Sequence, residues 1–148
     1  KRTFQTVEPF INESIPYESW AEINEINWGI HEGKESDPWM IEAYKEMIGQ
    51  WSNGNFDASL QDGESARQLA DRINHFLESI KTRTEKSILV CTHGRTLRCL
   101  MCLVKGQHLR EMESYTHSNT GLFKVHWKAP DFNVELENDT RHLKETES

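Results

Sequence analysis

The chain has few basic residues for its size, since 17 lysines and arginines are outnumbered by 24 aspartates and glutamates, and the formal net charge is −7 at pH 7. This balance argues against a nucleic-acid partner, whose phosphate backbone requires an excess of positive charge. No apolar run approaches the roughly eighteen residues of a membrane-spanning helix. No charged-then-apolar signal peptide opens the sequence. We therefore expect no nucleic-acid partner, no membrane partner and a cytoplasmic location.

Cysteine is also scarce, with three residues in the chain, an odd number. Cys91 lies in an apolar run, and Cys99 and Cys102 lie three residues apart in a second apolar stretch. This distribution is typical of reduced core thiols in a reducing compartment. No cluster of His, Cys and Asp has the spacing of a metal site. The sequence therefore predicts neither a disulfide framework nor a bound metal.

The composition is typical of a globular protein, with 36% apolar residues and five tryptophans among 148 residues. That length is typical of one domain and is sufficient to bury a hydrophobic core. We predict a single domain over residues 1–148. The negative net charge still permits a small anionic substrate, because a local cluster of Arg and His would decide its binding.

The most informative stretch is the apolar run at residues 88–91, which is followed by Thr92, His93 and Gly94. Such a run predicts a strand buried on both faces of a parallel sheet. His93 would then lie just past the carboxyl end of the strand, where ligands bind in open α/β sheets. The largely apolar stretch 96–104 predicts an inward-packed helix whose first amides face the same crevice, a favourable place for an anion.

Further helices and a hairpin are predicted around this strand. Asp37 and Pro38 are typical of a helix start, and another helix is expected to begin near residues 63–65. Its apolar stripe consists of Leu69, Ile73, Phe76, Leu77 and Ile80. Alternating apolar and polar residues at 123–127 and 132–136 predict a hairpin at the edge of the sheet. This order of elements predicts an α/β sandwich.

The remaining sequence evidence on function comes from several short segments, and each segment is weak evidence by itself. They are Arg2-Thr3-Phe4-Gln5-Thr6, the loop from Asn24 to Gly33, Gly63-Glu64-Ser65, Thr92-His93-Gly94, Ser118-Asn119-Thr120, and the segment from Asn138 to Leu143. Together and in this order, they resemble the histidine phosphatase superfamily, which has a phosphoglycerate-mutase-like fold. The match is distributed over the whole chain, which makes it far more specific than any single motif.

The resemblance implies a three-layer sandwich in which helices cover both faces of a mostly parallel sheet. It also implies an N-terminal strand that ends in Arg-His-Gly and whose histidine becomes phosphorylated, and no such strand precedes Lys1. We expect that strand upstream of Lys1, because a parallel sheet without its central strand would expose apolar backbone edges. The alternative is a chain that lacks the nucleophile.

The resemblance also implies roles for individual residues. Arg2 and His93 would bind the phosphate, Glu25 would donate a proton to the leaving group, and Glu25 and His93 would be the catalytic residues of this chain. Positive donors offset the charge on the transferring group, and a carboxyl group protonates the departing alkoxide. The implied activity is that of a phosphatase that hydrolyses a small phosphorylated metabolite through a phosphohistidine intermediate, with no cofactor and no metal.

Three further residues are phosphate-binding candidates through the same resemblance, namely Gly94, Asn119 and Thr120. Asn119 and Thr120 are equally well suited to an ordinary turn. The sequence also leaves two roles open for Arg95 and Arg98, which either reach the phosphate pocket or pair with nearby acids.

The interval between Glu25 and His93 is compact for the family, which favours hydrolysis over the transfer that a mutase performs. Two other hypotheses stay open. One is a non-catalytic domain that binds a phosphorylated ligand and has lost its nucleophile. The other is a phosphotransferase of the phosphoglycerate-mutase type, which moves a phosphoryl group between two positions of one substrate.

Overall fold

The computed structural model describes residues 1–35 and 37–146, which form an α/β fold of helices and one β-hairpin. The α-helices are α1 (Arg2–Asn12), α2 (Pro38–Ser52), α3 (Ala66–Lys81) and α4 (Gly94–Val104), and the strands are β1 (Leu122–Lys128) and β2 (Asp131–Asp139). Short 3-10 helices lie at Ala21–Ile23, Gly29–His31, Leu109–Ser114 and Arg141–Thr146. Within these described ranges, no helix is long and apolar enough to cross a membrane. The cytoplasmic location stays a prediction.

The core lies where α3 packs against α4 and α2 contributes its C-terminal half. The predicted stripe of α3 is confirmed, since Leu69, Ile73, Phe76 and Leu77 are buried. From α2, Trp51 is 2% exposed, and its indole Nε1 donates to the carbonyl of Ala58 at 2.9 Å. Each fully buried side chain of this kind contributes about 1.5–3 kcal/mol to folding, so this core anchors the helices that carry the site.

Both predicted helix starts are confirmed. Asp37 is the N-cap of α2 and Pro38 is its first residue, where the missing amide of proline costs no hydrogen bond. Ser65 caps α3 through a capping box with Gln68. The Gln68 amide donates to Ser65 Oγ at 3.2 Å, and the Ser65 amide donates to Gln68 Oε1 at 2.9 Å. The box satisfies two amides and fixes where α3 begins.

Replacing Ser65 by alanine should lower the free energy of unfolding by about 1 kcal/mol, because the amide of Gln68 then loses its acceptor. Urea unfolding followed by circular dichroism measures this loss. Ser59→Ala is the control, since Ser59 is exposed in the preceding loop. Equal stability of the two variants would show that the capping box contributes nothing.

The predicted hairpin is confirmed as an antiparallel pair of strands. Val125 lies opposite Val134, and Trp127 lies opposite Phe132. Burial alternates along both strands, as expected when one face of a hairpin covers the core. The Trp127 and Phe132 rings are 4.7 Å apart, and β2 contacts α4. The hairpin therefore packs over one side of the helical core.

The prediction of a buried strand at residues 88–91 is wrong for this structure. Ile88, Leu89 and Val90 are 42%, 57% and 39% exposed, and residues 87–92 belong to no helix or strand. Among the described residues, the only sheet is the two-stranded antiparallel hairpin, so the mostly parallel, three-layer arrangement is not present there. The physical reason is that a strand needs a neighbour for its backbone groups, and the described chain places none beside this run.

Helix α1 lies at the margin of the fold and has no buried residue. Pro9 lies inside it, and the helix continues to Asn12, although an interior proline removes one hydrogen bond and its ring crowds the preceding turn. Phe4 makes an edge-to-face contact with Tyr17 at 5.7 Å. The helix therefore depends on few contacts with the core.

Candidate functional site

The carboxylate of Glu25 caps the N-terminus of α4. Its Oε1 accepts from the Thr96 amide at 3.1 Å, from Thr96 Oγ1 at 3.2 Å and from the Ile26 amide at 3.0 Å. Its Oε2 accepts from the Arg95 amide at 3.3 Å. The first amides of a helix have no acceptor within the helix, and the helix dipole favours a negative charge at this end. Glu25 thus bonds to the first turn of α4, which directly follows His93.

Two threonines join the loop of Glu25 to the segment around His93. Thr92 Oγ1 donates to the carbonyl of Ile23 at 2.6 Å, and Thr96 Oγ1 donates to the carbonyl of Asn24 at 2.7 Å. His93 lies between these two threonines as the N-cap residue of α4, with extended backbone and no side-chain capping bond. His93 is half-buried, and the turn of α4 that follows it is the one that Glu25 caps.

Gly94 brings a second histidine to this place. A Cβ atom on Gly94 would lie 2.5 Å from Nε2 of His117 and 2.7 Å from its Cε1, so the glycine is what permits the His117 ring to approach the backbone. His117 is exposed. Its approach to Gly94 is a contact that sequence reasoning missed, because no local pattern marks it.

The loop of Asn119 and Thr120 is shaped mainly by its own hydrogen bonds. Thr120 has a φ of 56°, and its Oγ1 donates to the carbonyl of Asn119 at 2.7 Å. The Ser118 amide donates to Asn138 Oδ1 at 2.7 Å. Both candidate side chains are exposed, and their contacts are typical of a turn. The contact of His117 with Gly94 places this loop next to the start of α4. Phosphate binding by Asn119 and Thr120 stays a prediction.

Arg2 lies at the start of α1 with an exposed side chain. One turn further along the helix, Thr6 interacts with the thiol of Cys91. Burial raises the pKa of this thiol, and the Thr6 hydroxyl partly offsets that rise. Helix α1 therefore lies beside the segment that leads to His93. The convergence of Arg2 with Glu25 and His93 on one phosphate stays a prediction.

The two roles left open for Arg95 and Arg98 are resolved in favour of pairing, because both form ion pairs with Glu113. Arg95 is buried, and its Nη2 donates to the hydroxyl of Tyr44 at 2.6 Å. Burial alone would lower the pKa of this guanidinium, but the bonds with Glu113 and Tyr44 outweigh it and raise the pKa. Its cation also lies 5.7 Å from the ring centre of Trp51. Arg95 therefore supports the packing below the site.

A polar cavity of about 440 Å³ borders the loop of Glu25 and the start of α3. Its lining includes Glu25, Asn27, Glu64 and Arg72 but not His93. In the ranges that the structure describes, no three His, Cys, Asp or Glu side chains form a group that could hold a metal ion. Glu25 and Glu64 are the carboxylates of this lining, and Arg72 is its cation.

Comparison with known proteins points to one family. The family model of the histidine phosphatase superfamily (branch 1) matches residues 1–140. The "Putative phosphoserine phosphatase 2" of Hydrogenobacter thermophilus is 30% identical over 70% of this chain and 51% of its own. The "Probable phosphoglycerate mutase GpmB" of Citrobacter koseri is 30% identical over 83% of this chain and 60% of its own. The chain thus spans between half and two thirds of the length of these relatives.

Solved structures show the same fold. YhfR of Bacillus stearothermophilus superposes with a TM-score of 0.79 at 24% identity, over 96% of this chain and 71% of that protein. The alpha-ribazole phosphatase of Shigella flexneri gives a TM-score of 0.73 at 15% identity, over 90% of this chain and 66% of that protein. Since the family match extends over residues 1–140 and takes in both Glu25 and His93, the chain belongs to the histidine phosphatase superfamily.

Proposed function

We propose that the protein is a phosphatase that hydrolyses a small phosphomonoester through a phosphohistidine intermediate. In this proposal Glu25 is the proton donor, Arg2 and His93 bind the phosphate, and Gly94, Asn119 and Thr120 line the same pocket. One observation carries the proposal: the carboxylate of Glu25 bonds to the amides of Arg95 and Thr96, in the helical turn that His93 precedes. The side chain of Glu25 and the residue His93 thus both lie at the N-terminal end of α4.

The reaction has two steps. A histidine nitrogen attacks phosphorus, the N–P bond forms as the P–O bond to the alkoxide breaks, and the alkoxide takes a proton from the Glu25 carboxyl group. In the second step water gives a proton to the Glu25 carboxylate and attacks phosphorus. The N–P bond then breaks, which releases inorganic phosphate and restores the histidine.

The attacking histidine is proposed to come from a strand outside residues 1–148 that pairs with residues 87–92. The exposure of Ile88, Leu89 and Val90 supports this, because an exposed apolar run outside any strand is a place where another strand can pair. Pairing there would build the mostly parallel, three-layer sheet and would bring the nucleophile next to His93.

The relatives carry names of both phosphatases and mutases, so the experiment must separate hydrolysis from transfer. The full-length protein is incubated with 4-nitrophenyl phosphate and with 3-phosphoglycerate, and inorganic phosphate and acid-labile phosphohistidine are measured. Fast release with a phosphohistidine supports the proposal. Movement of the phosphoryl group within phosphoglycerate, without release of inorganic phosphate, would indicate a mutase and contradict the proposal. Phosphate binding without either reaction would indicate a non-catalytic domain.

Replacing His93 by alanine should weaken the binding of inorganic phosphate by about 10- to 100-fold, the value of one charge-assisted hydrogen bond. Isothermal titration calorimetry measures the dissociation constant. His75→Ala is the matched control, since His75 is exposed on α3 and has no role in the proposed pocket. Unchanged phosphate affinity in His93→Ala would remove His93 from that pocket.

A further inference from the structure

Arg72, on α3, binds three backbone carbonyls of the loop that ends at Glu25. Its Nη1 donates to the carbonyl of Glu22 at 2.6 Å and to that of Asn24 at 2.9 Å. Its Nη2 donates to the carbonyl of Glu25 at 3.1 Å. The side chain is only 20% exposed. One guanidinium group therefore fixes the backbone on which the Glu25 side chain is mounted.

Glu64 in turn fixes the guanidinium. Arg72 Nε donates to Glu64 Oε1 at 2.6 Å, and Nη2 donates to Oε2 at 2.9 Å, so the pair is bidentate. Glu64 also binds the loop directly, since its Oε2 accepts from the Asn27 amide at 3.2 Å and its own amide donates to the carbonyl of Asn27 at 2.8 Å. A bidentate pair sets the plane of the guanidinium as well as its position.

We infer that Arg72, oriented by Glu64, is a positioning residue that holds residues 22–25 so that the Glu25 carboxylate stays on the first turn of α4. As a statement about catalysis this rests on the proposed function, in which Glu25 donates the proton. Lysine cannot replace the arginine, because a single ammonium cannot bond to three carbonyls and both oxygens of a carboxylate in one plane. Proton transfer is sensitive to displacements of about 1 Å, so a loosened loop would slow it.

The first test is independent of activity. The amides of Arg95 and Thr96 have no acceptor within α4 and bond to Glu25 instead, so their hydrogen exchange reports on the position of that carboxylate. In Arg72→Lys we expect both amides to exchange about tenfold faster, while the amides of Ile73 and Leu77 in α3 keep the wild-type rate.

Arg67→Lys is the matched control on the same helix. Arg67 forms an equally bidentate pair with Asp57 at 2.6 and 3.1 Å, but its side chain is 55% exposed and it contacts neither Glu25 nor its loop. The control should leave the exchange of Arg95 and Thr96 unchanged. If Arg72→Lys also leaves it unchanged, the inference is overturned. If Arg72→Lys also speeds the exchange of the Ile73 and Leu77 amides, α3 itself is disturbed, and Glu64→Gln is used as the test variant instead. Faster exchange of the Arg95 and Thr96 amides in Glu64→Gln then supports the inference, and unchanged exchange overturns it.

The second test uses the full-length enzyme with an aryl and an alkyl phosphate. We expect Arg72→Lys to lower kcat about tenfold more for the alkyl ester, which needs the proton, with KM nearly unchanged. A merely destabilised fold would lower both rates equally, and that result would overturn a positioning role in catalysis. If exchange responds while the wild type hydrolyses neither ester, the proposed function fails and the positioning of Glu25 stands.

Discussion

Replacing Glu25 by glutamine should slow the hydrolysis of an alkyl phosphate by about 10²- to 10⁴-fold, the usual contribution of a positioned general acid. An aryl phosphate with a good leaving group should slow much less, because its departing oxygen needs no proton. Glutamine keeps one side-chain oxygen, which can accept from the amides of Thr96 and Ile26 as Oε1 of Glu25 does. Its NH2 group cannot accept from the amide of Arg95, which bonds to Oε2 of Glu25, so α4 keeps part of its cap. The substitution therefore removes the proton and costs one of the hydrogen bonds at the start of α4, a loss that is the same for both esters.

Steady-state kinetics on the two esters, together with the rate of phosphohistidine formation, measure this difference. Glu46→Gln is the control, because Glu46 is an exposed carboxylate on α2 that the proposed pocket does not use. If Glu25→Gln loses the same factor on both esters, Glu25 is not the proton donor and its role is limited to capping α4.

Replacing Gly29 by alanine should lower the free energy of unfolding by about 3 kcal/mol or more, through a backbone clash and a strained conformation. Gly29 has a φ of 60°, and a Cβ there would lie 2.6 Å from the Gly63 amide nitrogen and 2.7 Å from the Asp62 carbonyl carbon. The two loops are fixed to each other by the Ile30 amide, which donates to the carbonyl of Gln61 at 3.1 Å. Neither backbone can move aside cheaply.

Gly33→Ala supplies a matched comparison in the same loop. Gly33 has a φ of 66°, but a Cβ atom placed on it would meet no other atom within 4 Å, so only the conformational cost of about 1–2 kcal/mol applies. Chemical denaturation of both variants separates the clash from the strain. Equal losses of stability would mean that the contact between the two loops is looser than the distances indicate.

Much of the fold follows from local sequence. The start of α2 at Asp37 and Pro38 and the start of α3 at Ser65 are visible because capping chemistry is local. The hairpin is visible because alternation of period two is kept over both strands. These features depend on neighbours within a few residues, and the sequence order displays them directly.

The features that depend on distant neighbours could not be predicted in the same way. An apolar run such as residues 88–91 indicates that burial of its side chains is favourable, but it does not indicate which strand would cover them. The bonds from Arg72 to the loop of Glu25 join residues 47 to 50 positions apart. The approach of His117 to Gly94 likewise depends on how the loop that contains His117 folds back on the start of α4. Sequence spacing alone carries no signal for such contacts.

The exposed apolar run at Ile88, Leu89 and Val90 affects how the protein behaves in solution. These apolar side chains are largely exposed and residues 87–92 belong to no helix or strand, so strands of neighbouring copies can pair with this run. Residues 1–148 by themselves should therefore aggregate at high protein concentration. A lysine introduced within this run should reduce that aggregation.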